Sequence, residues 1–284
     1  MLKDFFKMGT KVTQKVTKKN SLKPLDNRFW SPMVKAPLKK SIKNPGFHII
    51  DGFISINDEI ALLKETEDLK KKYSFIAGEP IKIYTKDIDK TQIDNKNQQG
   101  IEVLPRRVTG RLENNNSSPW GYGDTFQMDG VPQELKKLAD HIQTSHEEFL
   151  GGPGKLRDIT INYRDFGMFI LDPHVDPASD GSFVFVVGLQ SDVVFTLSPP
   201  SSPNIVTRTD PSQVAMQSWS DDDIDILLRK RGCVGLGCDA RSVWRHGIRA
   251  GVDVPGHGVC DWFGSIDTLL LRGKERTSIV FAFQ

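Results

Sequence analysis

The sequence predicts an α+β chain, mainly β: a double-sheet jelly roll with two or more helices packed on one outer face. Three observations carry this. After residue 45 helical periodicity is confined to two stretches before residue 150, the period turns strand-like after Lys155, and at least seven short β-rich runs follow, separated by Gly, Pro and Asp clusters. At 284 residues the chain has room for one large core, with or without a tail. Apolar residues at 38%, with 16 Phe and 5 Trp spread along the length, exclude a disordered or collagen-like chain. Cys233, Cys238 and Cys260 form no C-x-x-C, so neither a disulfide framework nor a structural zinc site is expected, and a reducing, intracellular compartment is. No apolar run reaches the length of a membrane span.

Charge divides the chain. Residues 1–50 hold 12 basic side chains against Asp4 and Asp26, which leaves 26 basic against 34 acidic in the remainder. Residues 1–45, with seven lysines before Pro24 and prolines at 24, 32, 37 and 45, read as a basic arm outside the core. Leu2, Phe5, Phe6, Val12 and Val16 fall near one helical face. A solvated tail, a nucleic-acid or nuclear-import arm and a mitochondrial presequence all fit that pattern. The domain proper spans 46–284, and its acidic balance suits a general binder of phosphate backbones poorly.

The domain opens with a strand at Phe47-His48-Ile49-Ile50. A helix follows from Ser55 to Leu69, started by Ser55 or Asn57, with Ile60, Leu63 and Leu69 on its apolar side. Residues 86–119 read as a polar loop holding Arg106 and Arg107. Pro132 begins a second helix with Leu135, Leu138, Ile142 and Phe149 on one stripe, ended by Gly151-Gly152-Pro153. Strands are expected at Thr160–Tyr163, Ser182–Leu189, Val193–Leu197, Ile226–Leu228, Cys233–Leu236, Val243–Ile248 and Ser278–Phe283, with long loops over 198–223 and 250–274.

His174-Val175-Asp176 is the most informative tripeptide. On an extended strand residues i and i+2 share a face, so imidazole and carboxylate can converge. A third ligand is available in Trp244-Arg245-His246-Gly247, on a strand expected on the opposite wall of the roll. Two histidines and one carboxylate on one face of an octahedral ion leave three positions open, the arrangement of oxygen-activating non-haem iron sites. An H-x-D alone is weak evidence. His48, His141, His146 and His257 sit in a strand, a helix and a Gly-rich loop and read as structural. The closing Arg276-Thr277-Ser278-Ile279-Val280-Phe281 strengthens the reading, because an Arg entering an apolar strand needs an anion. A guanidinium grips a carboxylate through two parallel hydrogen bonds, which points to 2-oxoglutarate as a chelating cosubstrate. The alternative for Arg276 is an ion pair with Asp267 or Glu275.

These pieces together resemble the AlkB-like Fe(II)/2-oxoglutarate dioxygenases. The resemblance rests on Ile161-Asn162-Tyr163 with Gly167 leading into His174-Val175-Asp176, on Val186-Val187-Gly188-Leu189 with Val193-Val194-Phe195, on residues 237–248, and on the strand from Arg276. It covers about residues 46–283. It implies a double-stranded β-helix with His174, Asp176 and His246 as iron ligands. It further implies Arg276 on the distal carboxylate of 2-oxoglutarate, with Asn162 or Tyr163 and Ser278 as hydrogen-bond partners, and dioxygen as co-reactant. It implies oxidative demethylation of N-alkylated bases in DNA or RNA; the same chemistry on a protein side chain or small molecule, and a catalytically weak nucleic-acid-binding module, are the alternatives. Three departures stand out. Ala282 occupies the place of a second Arg, for which Arg241 or Arg249 are substitutes. Asn162 and Tyr163 are adjacent where relatives often separate the pair by one residue. Ala178 stands where some relatives carry an acidic residue. Trp120, Tyr122 and Phe126 are candidates for a base-stacking lid, and Arg106, Arg107 and Arg111 for phosphate contacts.

Overall fold

In a computed structural model of the chain, the described residues are 24–25, 34–35, 42–77, 110–113, 118–147, 152–164, 171–200, 222–249, 251–254, 258–264 and 268–284. Two antiparallel sheets face each other. The larger, in spatial order β4-β12-β9-β17-β7-β6-β5, is built from β4 (Phe47–Ile50), β5 (Ser74–Ala77), β6 (Gly110–Glu113), β7 (Leu156–Arg164), β9 (Phe183–Leu189), β12 (Cys233–Leu236) and β17 (Arg276–Phe283). The smaller runs β2-β11-β10-β13-β8, from β2 (Val34–Lys35), β8 (Leu171–His174), β10 (Val193–Ser198), β11 (Ile224–Leu228) and β13 (Arg245–Ile248). This is the expected jelly roll, mainly β, with helices on one outer face.

Alternation along β17 divides its side chains between two cores. Ile279, Phe281 and Phe283 join Ile159, Ile161, Phe185 and Val187 under the helices, while Val280 and Ala282 face Phe195, Leu197, Ile224 and Ile226 of the smaller sheet. The outer face is covered by α1 (Ile56–Lys72) and α2 (Gln133–Ser145).

α1 begins with a capping box: Ser55 Oγ accepts from the backbone of Asp58 at 3.2 Å, and the Asp58 carboxylate accepts from the backbone of Ser55 at 3.0 Å. Lys70, Lys71 and Lys72 in its last turn complement the helix dipole. Leu62, Thr66 and Leu69 are buried, but Ile60, expected on the apolar side, lies 61% exposed with Ile56 beside it. α2 has no side-chain cap of its own. Glu65 of α1 supplies one, its two oxygens each accepting at 2.9 Å from the backbone of Glu134 and Leu135, which ties the two helices together. Leu135, Leu138, Ala139 and Ile142 form its buried stripe, and it ends at Ser145, before the expected Gly-Gly-Pro stop.

Further expectations change, among them the loop over 86–119, which holds β6. The loop expected over 250–274 holds a three-stranded sheet, β14 (Val252–Val254), β15 (Gly258–Trp262) and β16 (Leu269–Leu271), whose short strands are broken by the Gly and Pro that suggested a loop. The arm expected over 1–45 is described at three strands only: β1 (Pro24–Leu25), which pairs with β3 (Ile42–Lys43), and β2. Val34 is buried in the inter-sheet core, so at that point the chain packs on the fold instead of standing outside it. The amphipathic stretch before Val16, Arg106, Arg107, Gly167 and His257 lie outside the described residues. No described helix is long and apolar enough to cross a membrane.

Candidate metal centre

β8 and β13 are neighbours, and their register puts His174 directly opposite His246. The two histidines therefore come from adjacent strands of the smaller sheet, not from opposite walls as expected. His246 is also opposite Leu197 of β10, and directly paired residues share a face, so its ring points into the inter-sheet core with Leu197. There it stacks on Phe195, with centroids 5.3 Å apart at 23°. Among the described residues its Nδ1 meets no hydrogen-bond partner, so packing orients the ring.

Gly247 lets the strands approach: a Cβ there would sit 2.7 Å from the Leu171 carbonyl oxygen and 3.2 Å from Pro173. Among the described residues β8 is the edge strand of its sheet, a place that tolerates Pro173 because its outer side needs no donor. β8 ends at His174, and Asp176 lies two residues beyond it, returning its carboxylate to the same point. His174 Nε2 is 3.3 Å and His246 Nε2 3.5 Å from Asp176 Oδ1. One ligand atom from each of the three side chains lies within 4.8 Å of the other two.

The group fits a first-row divalent ion. Nitrogen and oxygen donors bound about 2.1 Å from such an ion, on adjacent octahedral positions, are about 3 Å apart. Two imidazoles and a carboxylate suit iron. Burial lowers the His246 pKa to about 4, leaving a neutral donor at neutral pH. Burial alone would raise the Asp176 carboxyl, but the His174 hydrogen bond and the neighbouring His246, His174 and Arg241 hold it below the usual range. The His174 side chain is 40% exposed and that of His246 only 7%, so the site opens on the His174 side.

A short helix, α3 (Cys238–Ser242), supplies the clamp on this site. It is anchored by backbone bonds from Gly237 to Gly46 at 2.9 Å and from Ala240 to Pro45 at 2.8 Å. Gly46 is required there: its φ is +118° and a Cβ would lie 2.4 Å from the Gly237 carbonyl. From α3, buried Arg241 donates to the backbone oxygens of Asp176 at 3.0 Å and Pro177 at 2.7 Å. Arg249, the other suggested replacement for a second cosubstrate Arg, pairs with Asp225 at 2.7 Å and Asp223 at 3.8 Å. Both substitutes for the Arg absent at Ala282 are thus committed elsewhere.

Arg276 is buried where β17 begins, and among the described residues no carboxylate lies within ion-pair distance of it. Glu275 instead accepts from Gln190 at 3.1 Å. Ser278 follows Arg276 on the inner face, and the register sets Asn162 opposite Ser278. Tyr163 points the other way, its hydroxyl donating to the Thr66 carbonyl of α1 at 2.8 Å. Of the two adjacent residues, Asn162 is the one that shares a face with Arg276. Alternation from Asn162 leads to Arg164, which sequence reasoning passed over.

The aromatic segment before α2 is mostly core. Trp120 and Phe126 are buried, and the indole of Trp120 donates to the Gly130 carbonyl at 2.9 Å. Tyr122 alone is exposed. Its hydroxyl contacts Ser179 at 2.6 Å and donates to Asp180, which pins this segment to the turn after Asp176. Ala178 opens that turn and is exposed. His141 stacks on Phe53, and His48 and His146 meet edge-on at 5.3 Å, all three away from the metal centre as expected.

No family model matches the chain, and no curated protein matches it. Solved structures similar to it include a prolyl hydroxylase in complex with a hypoxia inducible factor peptide fragment from Trichoplax adhaerens, at 13% identity over 84% of both chains with a TM-score of 0.45. The non-heme alpha ketoglutarate dependent epimerase SnoN is similar at 15% identity over 84% of this chain and 77% of that one, with a TM-score of 0.40. OsALKBH1 is similar at 13% identity over 84% and 98%, with a TM-score of 0.42. Likenesses this distant decide nothing about the reaction, which is argued from the site.

Proposed function

We propose that the protein is an Fe(II)- and 2-oxoglutarate-dependent dioxygenase. The observation that carries this is the convergence of His174, Asp176 and His246 on one point, with a buried guanidinium at Arg276 on the facing sheet. When bound, ferrous iron and the 2-oxo acid supply oxidative decarboxylation by dioxygen, giving succinate and carbon dioxide, coupled to oxidation of a substrate C–H bond. The chain does the rest. His174, Asp176 and His246 hold the ion, Arg241 fixes the loop bearing Asp176, and Arg276 with Ser278 and Asn162 receives the distal carboxylate. Phe195 and the inter-sheet core keep water from the His246 side.

The proposed substrate is an N-alkylated base in DNA or RNA, in line with the AlkB-like motif order. A second reading keeps the chemistry and replaces the base with a protein side chain or small molecule. One observation favours it: Trp120 and Phe126 are core residues, so of the three lid aromatics only Tyr122 is free to meet a base.

The test is anaerobic loading with ferrous iron, then aeration with 2-oxoglutarate and a mixture of methylated DNA, RNA and peptides. Mass spectrometry should find succinate and a demethylated or hydroxylated product, both lost in His174→Ala. Turnover unchanged by that substitution refutes the oxygenase. Product from peptide alone sinks the nucleic-acid reading.

A further inference from the structure

Two buried guanidinium groups are brought face to face inside the roll. β7 and β17 pair with Arg164 directly opposite Arg276. Opposed residues of an antiparallel pair project from one face with Cβ atoms about 5 Å apart, and like charges so placed repel. The two residues are only 9% and 2% exposed, so little water screens them. Burial, then the charge of Arg164, lowers the Arg276 pKa to about 9; burial, then Arg272, lowers that of Arg164 to about 10. Both remain cations at neutral pH.

Among the described residues, the carboxylate that acts on Arg276 is Asp261, and it is already committed. Asp261 accepts from Nε of Arg272 at 2.8 Å and from a terminal nitrogen of the same residue at 2.5 Å, and its second oxygen accepts from the backbone of Val194 at 3.2 Å. Arg276 keeps a buried Nε with no hydrogen-bond partner. Asn162 and Ser278, opposite each other on the next rung of the same face, add an amide and a hydroxyl. Ala282, farther along that face, contributes no charge.

We propose that Arg164 is the second cation of the cosubstrate seat, gripping with Arg276 the terminal carboxylate of a dicarboxylic 2-oxo acid from two neighbouring strands. This rests on the dioxygenase reading and goes beyond it by naming the residue that compensates for Ala282. A carboxylate offers about four acceptor sites, so one anion can accept from both guanidinium groups and offset the repulsion between them. The seat then selects against a 2-oxo acid that lacks the far carboxylate, because a methyl group offers neither guanidinium an acceptor.

The experiment uses the full chain loaded with Mn(II) and titrated calorimetrically with 2-oxoglutarate and with pyruvate. The unaltered protein should prefer 2-oxoglutarate by at least about 100-fold. Arg164→Met and Arg164→Gln should each lose on the order of 10- to 100-fold in 2-oxoglutarate affinity while Mn(II) and pyruvate affinities stay within about twofold. Arg164→Lys, which keeps the charge and loses the fork, should recover part of the loss. A purely structural Arg164 would lower thermal stability and leave the preference for 2-oxoglutarate over pyruvate untouched; that result overturns the proposal. Equal affinity of the unaltered protein for the two acids overturns it without any variant. If the unaltered protein binds Mn(II) but neither acid, the dioxygenase reading falls and this inference with it. If 2-oxoglutarate binds the unaltered and Arg164→Met proteins alike, only the inference falls.

Discussion

Replacing Arg241 by Met keeps the stem of the side chain and removes both bonds to the loop that carries Asp176. Two effects then compete. A hydrogen bond from a charged donor contributes about 1.5–3 kcal/mol, but the carbonyl of exposed Pro177 can take water instead, so the stability lost should be about 1–3 kcal/mol. With the Asp176 backbone unclamped the ligand set loosens, and loss of such outer support typically weakens metal binding by about 10- to 100-fold. Against this, Arg241 is a cation that repels a divalent ion, and removing it strengthens binding. The clamp should win, because the site is open to water at His174 and water screens the repulsion. Titration with Co(II), followed by its visible absorption, measures the outcome directly. Arg241→Lys keeps the charge and cannot span both carbonyls, so it should weaken binding at least as much as Met. Tighter Co(II) binding in the Met variant would show that repulsion dominates and would refute the clamp.

Phe281→Ala removes a fully buried ring between the larger sheet and the helices and should cost about 3–5 kcal/mol in denaturant unfolding. Asp261→Asn removes the carboxylate that Arg272 holds inside a cluster of arginines; breaking a buried pair from one side should cost about 3–5 kcal/mol by the same assay. His146, flanked by His48 and His141, has a pKa lowered to about 4 by burial. The unfolded chain therefore binds a proton that the folded chain refuses between about pH 6.5 and 4, and stability should fall as pH drops through that window by up to about 1.4 kcal/mol per pH unit. His146→Phe should flatten that slope in thermal melts between pH 7 and 4, and an unchanged slope would assign it to other groups.

What the sequence revealed was local. Ser55, one of the two residues expected to start it, caps α1, and the i, i+2 spacing of His174 and Asp176 brings both to one point although the strand ends between them. What it hid depends on partners far along the chain. His246 lies 72 residues from His174, and only strand pairing reveals that the two are neighbours in one sheet. Asn162 and Tyr163 look equivalent until β17 defines which face is inner, and the same alternation would have exposed Arg164. Ile60 fits a helical stripe, but the stripe that α1 buries runs through Leu62, Thr66 and Leu69. Arg241 gives no signal of its role, because its partners are backbone carbonyls, which every residue carries. The short strands within 252–271 were hidden by Pro255 and the glycines between them.

Among the described residues β8 is the outermost ribbon of the smaller wall, joined to the rest along one margin, and that margin slips in register between His246 and Ile248. Such a fringe frays first in a folded protein. A cation held between His174 and His246 is a rivet through that weak seam, so loading it should slow deuterium uptake at Leu171 to His174 far more than at the central ribbons. An ion held there would thereby also hem this border of the fold.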